Sequence, residues 1–307
     1  MKICVYYVNN DIKVGLVDDN NVIDVLEAYK SVLMEKGYSE DEAEETIDSL
    51  LLYPENLALT WNVFEHILGE IQDHMNIVKQ HKCPLEEVAL LPPISQPQKI
   101  IGVALNYRDL ADQLGKTPNK PIFFLKSPSA IIGSKDPIVL PSVTKNVDFE
   151  AELVVVIKDV ARNIDVNDAD RVILGYTIGN DVTARDIQYS SGKTLYSWSK
   201  SLDTFAPIGP WIVTKDEIPD PQNLRIRLWI NDEIYQDSNT ANMIKGVKEI
   251  VSEASKYLTL YPGDLIFTGT PAGTGFALKP PRFLRDGDTV RIEIEKIGVL
   301  ENPVKRM

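Results

Sequence analysis

A proline-rich break divides this chain of 307 residues into two parts with different sequence patterns. The segment Pro92-Pro93-Ile94-Ser95-Gln96-Pro97 interrupts any helix, because proline lacks a backbone N–H and clashes with the preceding turn. Strands and then helices are predicted before the break, and short β-rich runs punctuated by Gly and Pro follow it. We therefore predict an α+β, mainly β fold, with a small α+β domain over residues 1–95 and a mainly β domain over residues 96–307.

Hydrophobic periodicity assigns the individual elements. In the first part it predicts strands over residues 2–8, 12–17 and 21–25, a helix from the Ser39/Glu42 capping box through Leu51, and a helix from Trp61 to Ile71. In the second part it predicts strands over residues 100–104, 122–126, 137–140, 152–157, 172–178, 207–213, 224–230, 264–268 and 289–295. A helix is predicted from Val247 to Leu258, and a short amphipathic one from Tyr107 to Gly115.

Charge and cysteine usage exclude several classes of partner. Residues 1–95 hold 6 Lys/Arg and 18 Asp/Glu, whereas residues 96–307 are nearly neutral with 26 and 27. Neither part carries a basic stripe, so we expect no nucleic-acid partner. No apolar stretch approaches the ~20 residues of a membrane span, so we expect no membrane partner and a soluble protein. Cys4 and Cys83 form no disulfide framework or CxxC site, which favours a reducing, cytoplasmic location.

Common catalytic patterns are absent from the sequence. It contains no GxSxG elbow, Walker loop, HExxH or GxGxxG pattern. All three histidines, His66, His74 and His81, lie in the acidic first part. We therefore expect no histidine-dependent triad in the β domain unless the first part folds over it.

A pair of carboxylates at the start of an apolar strand predicts a metal site. Glu150 and Glu152 project to the same face of an extended strand, where two unpaired carboxylates repel each other. Two glutamates at this spacing with no other signal are typical of a solvent-exposed edge strand. Here the strand continues into Leu153–Ile157, and a second apolar strand ends at Asp181. Three hard oxygen donors suit Mg²⁺ or Mn²⁺, and the lack of His and Cys disfavours zinc.

Two further segments are polar beside apolar strands. Lys200 lies between small hydroxyl residues and the strand that follows, although a lysine there is also typical of a surface. The glycines of Thr268-Gly269-Thr270-Pro271-Ala272-Gly273-Thr274-Gly275 allow backbone N–H groups to approach an anion, and a plain turn explains them equally well.

Residues 97 to about 304 resemble the C-terminal catalytic domain of the fumarylacetoacetate hydrolase family. The resemblance lies in strings that occur in the family's order: IGVALNY (101–107), FFLKSPSAIIG (123–133), DFEAEL (148–153), GYTIGNDVTARDIQ (175–188), KSLDTFAPIGP (200–210) and GDLIFTGTPAGTG (263–275). It implies a mixed β-roll with a metal at its mouth and a homodimer. Residues 1–95 resemble only loosely the variable N-terminal domains of the family.

The resemblance also implies roles for individual residues. It makes Glu150, Glu152 and Asp181 the ligands of a divalent metal, with Mg²⁺ expected and Mn²⁺ or Ca²⁺ as alternatives. Catalytic roles fall to Lys200, Gln188 and Thr270, and substrate contacts to Arg185, Tyr107 and Gly269. Thr204 is expected beside the metal, and Tyr107 with the helix after it is expected to form a mobile lid.

The chain departs from the family at this lid. Many members carry a His and a Glu three residues apart as a general-base pair, whereas this chain has Leu110 and Gln113 there, and neither accepts a proton. Asp109 or Asp112 could replace the base, although both fit a plain polar helix face.

The resemblance implies a metal-dependent enzyme that stabilises an enolate of a small 2-oxo or β-diketo acid. Its reaction could be C–C hydrolysis, decarboxylation or isomerisation. The alternatives are a dehydratase or hydratase of 2-oxo-3-deoxy sugar acids, and a catalytically inactive metal-binding homologue.

Overall fold

The computed structural model describes residues 1–50, 52–54, 56–78 and 81–307. In the first part the strands are β1 (Lys2–Val8), β2 (Asp11–Asp18), β3 (Asn21–Asp24), β4 (Lys82–Pro84) and β5 (Ala89–Leu91). The later strands are β6 (Ile100–Ala104), β7 (Ile122–Lys126), β8 (Ile131–Ile132), β9 (Ile138–Leu140), β10 (Val147–Asp148), β11 (Ala151–Ile157), β12 (Ile173–Asn180), β13 (Thr183–Ala184), β14 (Ala206–Thr214), β15 (Arg225–Ile230), β16 (Glu233–Asn239), β17 (Leu265–Phe267), β18 (Thr289–Ile294) and β19 (Gly298–Arg306). The helices are α1 (Val25–Glu35), α2 (Glu40–Ser49), α3 (Trp61–Asp73), α4 (Met75–Val78), α5 (Arg108–Leu114), α6 (Arg185–Gln188), α7 (Tyr196–Lys200) and α8 (Val247–Tyr257).

A large mixed sheet forms the centre of the molecule. Its strands run in the order β4-β3-β2-β1-β14-β12-β11-β17-β6-β7. Every residue of β11 and β12 is buried, which explains their nearly continuous apolar sequences. The carboxylate pair therefore starts a central strand, and the edge-strand alternative is wrong. A smaller sheet, β16-β15-β18-β19-β9, packs against β11, β12 and β14, so the α+β, mainly β prediction is confirmed.

The two parts of the chain share the large sheet. β1 pairs antiparallel with β14, with Ile3 opposite Ile212. The helices α1 and α3 pack together beside the outer strands. The division at residue 95 into two domains stays a prediction, and the pairing of β1 with β14 crosses it.

Most predicted elements are present, with small shifts at their ends. The capping box is formed as predicted: the Ser39 hydroxyl accepts the Glu42 N–H, and the Glu42 carboxylate accepts the Ser39 N–H. The helix ends at Ser49, and Leu51 lies outside the described residues. The predicted strand over 21–25 is one residue too long, because the Asp24 side chain caps α1 and Val25 is already helical. No helix in the described ranges is both long and apolar enough to cross a membrane.

Candidate metal centre

Three buried carboxylates converge at the ends of two central strands. Glu152 is the second residue of β11, Glu150 immediately precedes that strand, and Asp181 immediately follows β12. The antiparallel register places Ala151 opposite Asn180. The Asp181 N–H also donates to the Glu150 carbonyl at 2.9 Å, which fixes the two strand ends to each other. The three side chains are almost fully buried, and one oxygen from each lies within 4.8 Å of the other two.

The donor set fits a hard divalent cation. All three groups supply carboxylate oxygen, which Mg²⁺ and related ions prefer. Mg²⁺ binds oxygen at about 2.0–2.1 Å, so two ligand oxygens of one ion are about 3 Å apart when adjacent and about 4 Å apart when opposite. The oxygens of this site, which we call the acidic cage (Glu150, Glu152 and Asp181), lie within 4.8 Å of one another, so small side-chain movements would bring them to that spacing.

Two lysines contact the acidic cage. Lys200, at the end of α7, donates to Glu150 Oε2 at 2.9 Å and to Asp181 Oδ2 at 2.6 Å. Its third contact is the Thr183 hydroxyl at 2.7 Å. Lys126, the last residue of β7, donates to Asp181 Oδ1 at 2.6 Å. Both lysines are almost fully buried, so each is held at a fixed position by carboxylates.

The pKa values of two cage carboxylates, Glu152 and Asp181, shift in opposite directions. Burial, reinforced by the charges of Asp181 and Glu150, raises the pKa of Glu152 well above its ordinary value. Burial also tends to raise the pKa of Asp181, but Lys126 and Lys200 outweigh it and lower that pKa. Burial tends to lower the pKa of Lys200, and the charges of Asp181 and Glu150 raise it overall. The two lysines contact Glu150 and Asp181 but not Glu152. A divalent ion in the cage would therefore favour the ionised form of Glu152.

Arg185, at the start of α6, links the cage to a fourth carboxylate. Its guanidinium donates through Nε to Asp148 Oδ2 at 2.8 Å, and it also contacts Glu150 and lies over the Phe276 ring. Asp148 further accepts the Gly275 N–H at 2.7 Å. The predicted substrate contact Arg185 thus lines the cavity while it is fully engaged with acidic partners.

The glycine-rich loop contacts the cage through its backbone. The Gly269 N–H donates to Glu152 Oε2 at 2.7 Å, so the anion it approaches is a protein carboxylate and not the predicted substrate. Gly269 has a φ of +102°, and an added Cβ would lie 2.8 Å from Asn106 Cβ, which explains the glycine. The next residue, Thr270, lines the cavity, and its hydroxyl accepts from Gln236 Nε2 at 2.9 Å.

Gln188 is buried beside Arg185. Its Oε1 accepts from the guanidinium at 2.9 Å. In the part of the chain that the structure describes, its Nε2 has no hydrogen-bond partner. A buried donor without a partner costs about 1–3 kcal/mol. Gln188 is not among the residues that line the cavity beside the cage.

The lid segment is docked in the structure. Tyr107 is completely buried, and its hydroxyl finds no partner among the described residues. Burial raises its pKa, reinforced by the charges of Glu152 and Asp109. Leu110 lines the cavity at the position where the family resemblance leads one to expect histidine, and Gln113 Nε2 donates to the Ala277 carbonyl at 3.0 Å.

The proposed replacements for the lid base do not reach the cavity. Asp109 Oδ2 accepts from the Ser238 hydroxyl at 2.7 Å and its Oδ1 accepts the Ala272 N–H at 3.3 Å, while Asp112 is exposed. Neither is a lining residue of the cavity. The histidines are remote as well: of the described groups near them, His81 contacts Ser31 and His66 contacts Glu70.

The expectation for Thr204 is wrong. Its hydroxyl accepts the Val139 N–H at 2.9 Å, and the residue lines a different groove, with Trp198 and Met307. The cis peptide Gly209–Pro210 and the rest of β14 follow it. The string KSLDTF matches the family, but the chain turns away from the cage directly after Lys200.

Sequence reasoning missed several residues of the site. Lys126, Asp148, Thr183 and Gln236 received no role, although the first three lie inside the matched strings. The signal for Lys126 is a lysine at the end of the apolar strand IFFLK, and for Asp148 an acidic residue two positions before Glu150. Their partners are distant in sequence, so only the fold assigns them.

A cavity leads from the acidic cage to the surface. It encloses about 600 Å³ of empty space, its open mouth included. The cage and Lys200 lie at its inner end, and apolar side chains form its walls, among them Leu105, Leu110, Leu114, Phe124 and Phe276. This arrangement is typical of a class of protein with a small-molecule site, here with buried acidic and basic groups at its inner end.

Comparison with known proteins agrees with this class. The family model described as "Fumarylacetoacetate (FAA) hydrolase C-terminal" matches residues 99–305, which is most of the chain. The chain belongs to the fumarylacetoacetate hydrolase family, as its sequence motifs predict.

Named relatives are enzymes that act on keto acids and related compounds. The chain is 44% identical over 226 residues to "Oxaloacetate tautomerase fahd2, mitochondrial" of Xenopus laevis, covering 73% of this chain and 71% of that one. It matches the crystal structure of 2-hydroxyhepta-2,4-diene-1,7-dioate isomerase from Mycobacterium marinum at 33% identity and a TM-score of 0.73, over 100% and 98% of the two chains. It also matches maleylpyruvate hydrolase from Sphingobium sp. SYK-6 in complex with manganese(II) and pyruvate, at 29% identity and a TM-score of 0.74, over 100% and 99%.

Proposed function

We propose that the protein is a divalent-metal-dependent enzyme that interconverts the keto and enol forms of a small 2-oxo acid, with oxaloacetate as the first substrate to test. The single observation that carries the proposal is the convergence of Glu150, Glu152 and Asp181 on one point beside Lys200. These three carboxylates would hold the ion. When bound, the ion would act as a Lewis acid toward the carboxylate and keto oxygens of the substrate.

The residues around the cage would position and polarise the substrate. Lys200 would supply a fixed positive charge beside the oxygen that becomes negative as the enolate forms. Thr270, which lines the cavity, would donate a hydrogen bond to the carboxylate or keto oxygen. The catalytic role of Gln188 stays a prediction, because its amide is unpaired but does not line the cavity. Arg185 would hold Glu150 in place through its contacts with Asp148 and Glu150. Tyr107 has an unpaired hydroxyl near Glu152 and is the remaining candidate donor.

The cavity wall favours tautomerisation over hydrolysis. Hydrolysis of a C–C bond requires a base to activate water, and the lid presents Leu110 to the cavity where that base is expected. Tautomerisation moves a proton between carbon and oxygen of the substrate, so it needs a group that accepts the carbon-bound proton and returns it to oxygen, but it needs no activated water. The oxaloacetate tautomerases among the relatives support this choice.

The proposal extends to the metal, the assembly and the location. We propose Mg²⁺ as the working ion, with Mn²⁺ as a substitute, which the manganese in the maleylpyruvate hydrolase crystal supports. We also propose a homodimer, supported by the exposed apolar residues Val143, Trp198 and Met307 around one groove. The cytoplasmic location stays a prediction, and some relatives are named mitochondrial.

The direct test is the decay of enol oxaloacetate, followed by its ultraviolet absorbance. We expect the purified protein with Mg²⁺ to accelerate the decay and EDTA to abolish the acceleration. Glu152→Gln, which keeps the shape but loses one ligand charge, should behave as the EDTA-treated protein does. Cleavage of an acylpyruvate without any effect on oxaloacetate would overturn tautomerisation in favour of hydrolysis, and inactivity on both would overturn the proposed enzyme.

A further inference from the structure

The cations that line the cavity differ in how they are paired. Within the described part of the chain these are Arg185, Lys200 and Lys116. Arg185 and Lys200 are buried and are each held by two carboxylates. Lys116 is exposed at the mouth, and its ammonium group contacts no acidic or other polar group among the described residues. It is therefore the lining cation that is free to meet a ligand.

The end of the lid helix sets the position of Lys116. Gly115 adopts the left-handed conformation, with φ of +62°, directly after α5. The Gly115 N–H donates to the Asp112 carbonyl at 3.2 Å, and the Lys116 N–H donates to the Ala111 carbonyl at 2.9 Å. This pair of bonds is the Schellman motif, which stops a helix in one defined backbone geometry. The Lys116 backbone is thus fixed to the lid that closes the cavity.

The charge of the buried cluster explains why a second cation is needed. Four buried carboxylates, Asp148 and the acidic cage, stand beside three buried cations, Lys126, Arg185 and Lys200. Fully ionised, the cluster carries one negative charge, and a divalent ion would turn that into one positive charge. The carboxylate of a 2-oxo acid balances it. A second carboxylate on the same molecule then finds no counter-charge at the inner end of the cavity.

We propose that Lys116 binds the distal carboxylate of a 2-oxo dicarboxylic acid and so makes the cavity select dicarboxylates over 2-oxo monocarboxylic acids. The inference rests on the proposed function for the position of the 2-oxo group at the acidic cage. The apolar walls between the cage and the mouth, including Leu110 and Phe276, offer the distal carboxylate no other charged partner among the described lining residues. Lys116 is a specificity-determining residue in this account and takes no part in proton transfer.

Two stable probes isolate the distal carboxylate. Oxamate and N-oxalylglycine share the same oxalyl head, and only N-oxalylglycine carries a carboxymethyl group beyond it. Calorimetry on the Mg²⁺-loaded protein gives the ratio of their dissociation constants. Four proteins are compared: the wild type, Lys116→Met, Lys116→Glu and the control Lys120→Met. Lys120 is exposed on the same segment and does not line the cavity.

We expect the wild type to bind N-oxalylglycine more tightly than oxamate. Lys116→Met should reduce this preference about 1.5- to fivefold, the range of an exposed charge pair, and Lys116→Glu should reduce it further. Lys120→Met should retain the wild-type ratio. An unchanged ratio in both Lys116 variants would overturn the inference.

The outcome separates this inference from the proposed function. A wild type that fails to tautomerise oxaloacetate but prefers N-oxalylglycine through Lys116 would contradict the reaction and support the dicarboxylate site. A wild type that tautomerises oxaloacetate and shows the same preference in every variant would support the reaction and overturn the role of Lys116.

Discussion

The two buried lysines of the site, Lys200 and Lys126, should differ in how strongly their removal lowers turnover. Lys200 balances two cage carboxylates and lines the cavity. In the proposed reaction it would stand beside the oxygen that becomes negative. Lys126 contacts Asp181 alone and is not a lining residue of the cavity. A preorganised charge aimed at the reacting group contributes more to catalysis than one that only orients a ligand. Lys200 is therefore the residue whose loss should affect turnover most strongly.

Replacing Lys200 with alanine tests that role. We expect turnover of oxaloacetate to fall about 100- to 1000-fold, the loss typical of one oxyanion-stabilising group. Binding of the metal, measured by calorimetry, should remain, because the three ligands remain. Lys193→Ala, an exposed lysine in the nearby loop, is the matched control and should be as active as the wild type. Unchanged turnover in Lys200→Ala would contradict the assignment.

Tyr107 provides a test of the unpaired hydroxyl. In the described structure this buried group has no hydrogen-bond partner, so its removal should not destabilise the metal-free protein. We expect Tyr107→Phe to leave the free energy of unfolding in urea unchanged or to raise it by about 1 kcal/mol. Tyr6→Phe is the contrast, because the Tyr6 hydroxyl donates to Asp24 and its loss should cost about 1 kcal/mol. A loss in Tyr107→Phe as large as in Tyr6→Phe would show that the hydroxyl is paired.

The site residues that the sequence predicted share a local signal. Glu150 and Glu152 are two positions apart on one strand, and Asp181 ends the strand that pairs with it, so spacing and strand ends suffice to bring them together. Lys126 ends an apolar strand and Asp148 lies two positions before Glu150, but these signals do not identify their partners. Their partners, Asp181 and Arg185, lie 55 and 37 positions away, and only the order of strands in the sheet reveals the contacts.

One carboxylate of the lid helix α5 contacts two other parts of the fold. Asp109 accepts hydrogen bonds from the Ser238 hydroxyl of β16 and from the Ala272 N–H of the glycine-rich loop. We refer to these two contacts as the lid latch. Its position outside the cavity explains why Asp109 acts on the lid and not on a substrate proton.

Loss of the latch should loosen the helix. We expect residues 108–116 of Asp109→Ala to exchange their amide hydrogens at least about tenfold faster, because even one hydrogen bond to a charged acceptor contributes about 1.5–3 kcal/mol. Asp112→Ala, on the exposed face of the same helix, should exchange at the wild-type rate. Equal exchange rates in the two variants would contradict the latch.

Several elements, among them α1, β16 and β19, were not predicted from the sequence, for physical reasons. The helix α1 follows the strand β3 without a loop, because the Asp24 side chain caps it at the strand's last residue. The strand β16 is polar because it forms the edge of the smaller sheet, and β19 contains Pro303 and charged residues. Alternating or continuous apolar patterns identify buried strands well, and edge strands lack them.

At the level of the whole chain, the apolar groove predicts the assembly. Trp198 is 74% exposed and Met307 is 90% exposed, and both lie in the groove lined by Val139, Val143 and Leu202. We expect a dimer in light scattering, and Trp198→Glu should shift it toward the monomer. Val160→Glu, an exposed apolar residue outside the groove, is the control. A monomeric wild type, or a dimer that Trp198→Glu leaves intact, would contradict this face as the interface.

The large sheet combines strands from both parts of the chain, which the sequence alone did not predict. The proline break and the charge difference predict a domain boundary at residue 95, yet β1 pairs with β14 across it. Strand order within a sheet depends on contacts between distant segments, and hydrophobic periodicity does not encode them. The family resemblance supplied the β-roll expectation that the spacing of residues could not.

Metal binding should couple to the stability of the fold. Loading one ion at about 100 times its dissociation constant contributes about 2.7 kcal/mol, which corresponds to a rise in Tm of about 4 °C for a chain of this size. Mg²⁺ or Mn²⁺ should therefore raise the Tm and EDTA should reverse the effect. Glu152→Gln and Asp181→Asn should lose most of the rise, and Asp112→Asn should retain it.

The most direct measurement is the anomalous scattering of a crystal soaked in Mn²⁺. We predict one strong peak within about 2 Å of an oxygen from each of Glu150, Glu152 and Asp181. A crystal with saturating Mn²⁺ that shows no peak there, and whose three carboxylates keep only their lysine and backbone partners, would contradict the metal centre on which the proposed chemistry depends.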